Sequence, residues 1–82
     1  MPDDGWLRAA LPLEDLSLLE PPEPLHRILI TCTSLARDVV YCARLRHVPT
    51  PLFPHLEARD LEWRAGDCAD GTAIVWIRRR SE

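Results

Sequence analysis

The side chains able to do chemistry in this 82-residue chain form two small sets, the cysteines Cys32, Cys42 and Cys68 and the histidines His26, His47 and His55. A thiolate attacks electrophiles, carries sulfur and binds soft metals, so its protonation state decides what a cysteine can do. Three is an odd number and no C-x-x-C pair occurs, which reads as free thiols in a reducing compartment. Cys32 and Cys42 sit among apolar residues and are expected to act as small core hydrophobes. Cys68 lies in a polar loop and is the cysteine expected to meet solvent, but Asp67 and Asp70 beside it disfavour a thiolate.

The histidines pair with a different chemistry. Glu23, His26, Arg46, His47 and His55 are the candidates to hold an anion or a metal ion, since imidazole and carboxylate suit zinc or iron. Metal sites usually show tight spacing such as H-x-x-x-H, and His47 and His55 instead flank a proline-rich turn. No metal is assigned on that pattern, and no cofactor is implied. Glu14-Asp15 is a doublet on an expected strand, where neighbours point to opposite faces, so it is no acid/base pair. Neither a Ser-His-Asp order nor a glycine-rich phosphate loop is present, and Asp67 to Gly71 is too short for an EF-hand.

The elements that must position these groups follow from periodicity. Residues 1–10 read as a flexible or lightly packed lead-in, with Trp6 and Leu7 as its anchors, and 11–80 as one domain. Leu13 to Leu18 predicts a strand, and Glu20-Pro21-Pro22-Glu23-Pro24 a turn into a helix over 22–35. Leu25, Ile28, Leu29, Cys32 and Leu35 fall on one face of that helix, so it should lie on something flat. Residues 38–48 alternate, with Val39, Tyr41, Ala43 and Leu45 facing one way and Val40, Cys42, Arg44 and Arg46 the other. Thr50 is a reasonable N-cap for a short, distorted second helix carrying Leu52, Phe53 and Leu56. Two further strands, near 61–65 and 72–78, flank turn chemistry that includes Asp70-Gly71. The order is β-α-β-α-β-β: an α/β (α+β) two-layer sandwich, a four-stranded mixed sheet with two helices on one face.

That order, with Pro21-Pro22-Glu23-Pro24 opening the first helix, resembles the TusA-like (SirA-like) family of small bacterial proteins. Members open this helix with Cys-Pro-x-Pro, and in the family's sulfur carriers that cysteine holds a persulfide. Pro22 and Pro24 match the two prolines, while Pro21 stands where the cysteine would be. Arg46-His47 followed by Pro49, Pro51, Leu52, Pro54, Leu56 and Glu57 extends the likeness to an uncharacterised bacterial branch, a domain of unknown function. Proline offers no nucleophile, so the resemblance implies the fold and not the carrier role at position 21.

Charge and surface set the remaining expectations. Residues 1–24 carry six acids against Arg8, the rest nine arginines against seven acids, which sums to the net charge of −3. Arg78-Arg79-Arg80 reads as a solvated strand end, and an acidic chain with few aromatics is not expected to bind nucleic acid. No stretch is long and apolar enough for a membrane span and no signal peptide opens the chain, so a cytoplasmic protein is expected. Val40, Arg44, Arg46 and Trp76 mark the sheet face away from the helices as an interaction surface, unless Trp6 and Leu7 fold over it. The expectation is a non-catalytic module that binds another protein. Alternatives are a small ligand or metal at the Glu23/His26/His47 edge, and a sulfur carrier using a displaced cysteine.

Overall fold

A computed structural model describes residues 4–20 and 22–80. Its elements are α1 (Asp4–Arg8), β1 (Glu14–Asp15), α2 (Glu23–Thr33), β2 (Tyr41–Leu45), a 3-10 turn (Thr50–Leu52), α3 (Phe53–Ala58), β3 (Leu61–Asp67) and β4 (Ala73–Arg79). The sheet has four strands in the order β1-β2-β4-β3, with β1 parallel to β2 and the other pairs antiparallel. The mixed sheet and the helices α2 and α3 on one face match the expected architecture.

Strand alternation builds the core. Tyr41, Ala43 and Leu45 of β2, Val75 and Ile77 of β4 and Leu61 of β3 point to one face. They meet Ile28, Cys32 and Leu35 from the α2 segment and Leu52 and Leu56 from the α3 segment. Phe53 stacks on Trp63 with ring centroids 5.1 Å apart, fixing α3 against β3. The expected N-cap at Thr50 is not formed: the 3-10 turn starts there with no side-chain cap. Pro54 sits in the first turn of α3, where its missing N–H costs nothing.

The edge strand is shorter than the residues 13–18 expected. Ala10 bridges Val40, just before β2, and Glu14 pairs with Ala43, so four steps along the edge face three along its neighbour. Pro12 lies in that mismatch and has no N–H to give, so the pairing is interrupted there. Past β1, the Asp15 carboxylate accepts from the N–H and hydroxyl of Ser17, turning the chain away.

The lead-in is not loose over its described part. Residues 4–8 form a helix, and Trp6 is buried with Val40, Cys42 and Trp76 on the second face of the sheet. The Arg78 guanidinium lies 3.9 Å and that of Arg64 4.9 Å from the Trp6 ring centroid. The arginine triplet is likewise no solvated end. Arg78 pairs with Glu62, Arg79 donates to the Leu35 and Thr33 carbonyls at the end of α2, and Arg80 pairs with Glu57 and Asp60. Arg79 thus supplies the C-terminal cation that the last turn of α2 lacks.

Candidate functional site

Three chain segments meet where β1 and β2 end and α2 begins. The Asp15–Ser17 turn is closed further by the Leu19 N–H, which donates to the Leu16 carbonyl over 3.1 Å. It turns Leu16 into the core and leaves Leu18 86% exposed. Pro24 follows at the second position of α2, buried, and among the described residues no side chain caps that helix N-terminus. Opposite, Arg46 to Pro49 carries β2 into the 3-10 turn. Arg46 Nε donates to the Ser17 carbonyl over 2.6 Å, tying the two ends together.

Between these segments lies a cleft of about 340 Å³. Leu16 and Leu19 form one side, Pro22, Pro24 and Leu25 a second, and Leu45, Val48, Pro49 and Pro51 a third. Arg46 and His47 are the only polar side chains among its described lining residues. Proline-rich walls have little conformational freedom to lose, so the cleft is largely formed in advance of any ligand. It also lies at the carboxyl ends of the parallel pair, the customary place for ligands in α/β sheets.

The expected site residues divide. Arg46 and His47 line the cleft, as do Pro22 and Pro24. Glu23 and His26 are exposed on α2 and outside the lining, and His55 is exposed on α3, its carbonyl accepting from Arg59. The convergence expected of Glu23, His26, Arg46, His47 and His55 is therefore reduced to two neighbours. α3 carries His55 beside β3, at the far side of the sheet from β1. Among the described residues no three His, Cys, Asp or Glu side chains are grouped to hold a metal ion. Pro21 lies outside the described residues.

The expected interaction surface also needs correction. Val40 and Trp76 are 1% and 9% exposed because α1 covers them, through Trp6 but not through Leu7, which stays exposed. Arg44 reaches the Asp70 carboxylate at 4.0 Å. Hydrogen bonds from Thr72 hold the Asp70 carboxyl below the usual range, and those from Ser17 do the same for Asp15. Only Arg46 of that set remains mostly exposed and unpaired among the described residues.

The thiols behave as core groups. Burial pushes Cys32 up to about 11, and burial raises Cys42, which donates to the Leu11 carbonyl. Cys68 is half-buried in the β3–β4 loop, and all three cysteines are free. Tyr41 is raised by burial and then by its hydrogen bond to Glu14, a 2.7 Å contact that pins β1 to β2.

A family model described as "Uncharacterized conserved protein (DUF2249)" matches residues 15–79, well over half of the chain. The chain belongs to the DUF2249 family. Neither the curated proteins nor the solved structures contain a match to it. The DUF2249 region contains every described residue lining the cleft, whereas α1 and its Trp6 precede it.

Sequence reasoning found the edge but not the cleft. Leu19, Leu25, Val48, Pro49 and Pro51 were legible as turn and helix-face residues, not as walls of one cavity. The usable signal was the recurrence of proline on both sides, at 22 and 24 and at 49 and 51.

Proposed function

We propose that this DUF2249 domain works by binding, without catalysis of its own, and that its site is the cleft between the β1 turn, the start of α2 and the segment after β2. The observation that carries this is a preformed apolar cavity of about 340 Å³ at the carboxyl edge of the parallel strands. That volume is at the lower end of the ~300–1,000 Å³ typical of small-molecule pockets. A compact apolar ligand fits it. The lining has no thiol and no carboxylate among its described residues, which favours holding over reacting.

A protein partner is the second reading. Leu18, 86% exposed on a turn closed by the Asp15 side chain, stands beside the same cleft and can anchor an apolar contact. The β-α-β-α-β-β order with Pro22 and Pro24 at the start of α2 supports kinship with the TusA-like proteins, bacterial and cytoplasmic like them. In that kinship the carrier position itself is lost, since position 21 is proline, and burial disfavours the thiolates of Cys32 and Cys42, which leaves Cys68 of the β3–β4 loop as the one thiol that a displaced carrier would use.

The test is an amide NMR titration with 1-octanol, a neutral apolar probe. Shifts confined to residues 16–25 and 45–51 are expected, and Leu25→Trp, which fills the cleft, should remove them. Shifts scattered over the surface, or unchanged in the filled variant, would sink the reading.

A further inference from the structure

We infer that the ligand of this cleft is an amphiphilic anion: a compact apolar body carrying one carboxylate or equivalent head at the Arg46 end. The inference rests on the cleft being the binding site and adds the charge of what it holds.

The argument starts from how the arginines are used. Among the described residues, Arg44, Arg78 and Arg80 each have a carboxylate within ion-pair distance. Arg79 is spent on the last carbonyls of the α2 segment. Arg46, like Arg8, Arg27, Arg37, Arg59 and Arg64, forms no ion pair with a described residue, but it is the one arginine among the described lining residues of the cleft, and its hydrogen bond there, Nε to the Ser17 carbonyl, holds the side chain on the cleft wall. A guanidinium fixed through Nε still has its two terminal nitrogens to give, the geometry that grips a carboxylate with two parallel bonds.

The surroundings favour the same ligand. His47 follows Arg46 in the lining and adds a second nitrogen donor at that end. Every other described lining residue is leucine, valine or proline. Such walls offer an alkyl chain a dry surface and a second polar group nothing. The exposed carboxylates of Glu20 and Glu23 lie outside the lining, so they oppose an anion only across solvent, where salt screens them. A cationic or polyhydroxylated ligand would find no partner inside.

The experiment compares two probes of equal chain length, octanoate and 1-octanol, by amide NMR titration on the intact chain at about 0.15 M salt, where the screening length is about 8 Å. Octanoate should bind about 5- to 10-fold more tightly, and Arg46→Gln should bring that ratio close to one. The ratio is the readout because damage to the cleft weakens both probes together, while loss of the guanidinium weakens only the anion. Lengthening the acid from six to eight carbons should tighten binding about 3- to 4-fold per methylene until the cleft is full. Equal binding of both probes at the cleft would overturn the anion and leave the cleft as a site. Failure of both to bind there would overturn the binding reading itself.

Discussion

The two faces of the sheet are each covered by helix, but by different means. Under α2 and α3, twelve buried residues from strands and helices interlock, including Ile28, Leu52, Leu56, Val75 and Ile77 at 0% exposure. Under α1, one indole does the covering, resting on Val40, Cys42 and Trp76 with two arginines against its ring. The first face is a shared core that cannot lose a part without a void. The second is a patch held by a five-residue helix that precedes the DUF2249 region. A five-residue helix has little stability of its own, so this contact depends on tertiary packing alone.

The contrast can be broken hardest from the core side. Ile28→Ala should cost about 2–5 kcal/mol, read as a lower urea midpoint with the slope unchanged, because closely packed neighbours cannot collapse into the space. Trp6→Ala should cost less, about 1–3 kcal/mol, since the segment bearing it can detach while the core stays folded. Deleting residues 1–8 should cost at least as much as Trp6→Ala, since it removes the same indole. In either variant Cys42 should become open to alkylation while Cys32 stays protected. Protection of both thiols would mean that α1 is not what shields the second face.

The smallest effect is a matter of pH. Cys32 and Tyr41 have folded values raised above their ordinary 9 and 10, so the stability they contribute is fully present below pH 9. It is lost as pH rises through about 11, where Cys32 ionises in the folded protein. The urea midpoint should therefore decline on the alkaline side. Tyr41→Phe should lower it by about 0.5–1.5 kcal/mol at neutral pH through the lost bond to Glu14, and make the alkaline decline shallower. An unchanged alkaline slope in that variant would remove Tyr41 from the account.

How much of this was legible in the sequence follows from the range of the forces involved. The alternation in β2 and the three-and-four spacing in α2 report local geometry: α2 formed over most of the 22–35 expected, while β2 formed over only Tyr41–Leu45 of the 38–48 that alternate. The edge strand shrank because Pro12 and the Asp15–Ser17 hydrogen bonds act on backbone pairing, which hydrophobic alternation does not record. Arg78, Arg79 and Arg80 read as one basic run because identity was visible and destination was not. Adjacent strand residues point to opposite faces, so Arg78 reaches Trp6 while Arg79 reaches the end of α2. Arg46 and His47 were named as site residues from the edge they share, while Glu23 and His26 were lost because α2 turns them outward.

The β3–β4 hairpin also bears on how quickly the chain finds its shape. Its strands are joined by a loop in which Gly71 adopts φ +89° and Thr72 bonds to Asp70, so its seven paired positions close over a short stretch of chain. The β1–β2 pair has two such positions and must wait for the whole of α2 to be threaded between them. Contacts near in sequence cost less loop entropy to make, so the hairpin and α3 are expected to form first and the parallel edge to dock last. The cleft proposed to bind is built on that edge, so it is expected to be the last part of the molecule to form and the first to be lost when it opens.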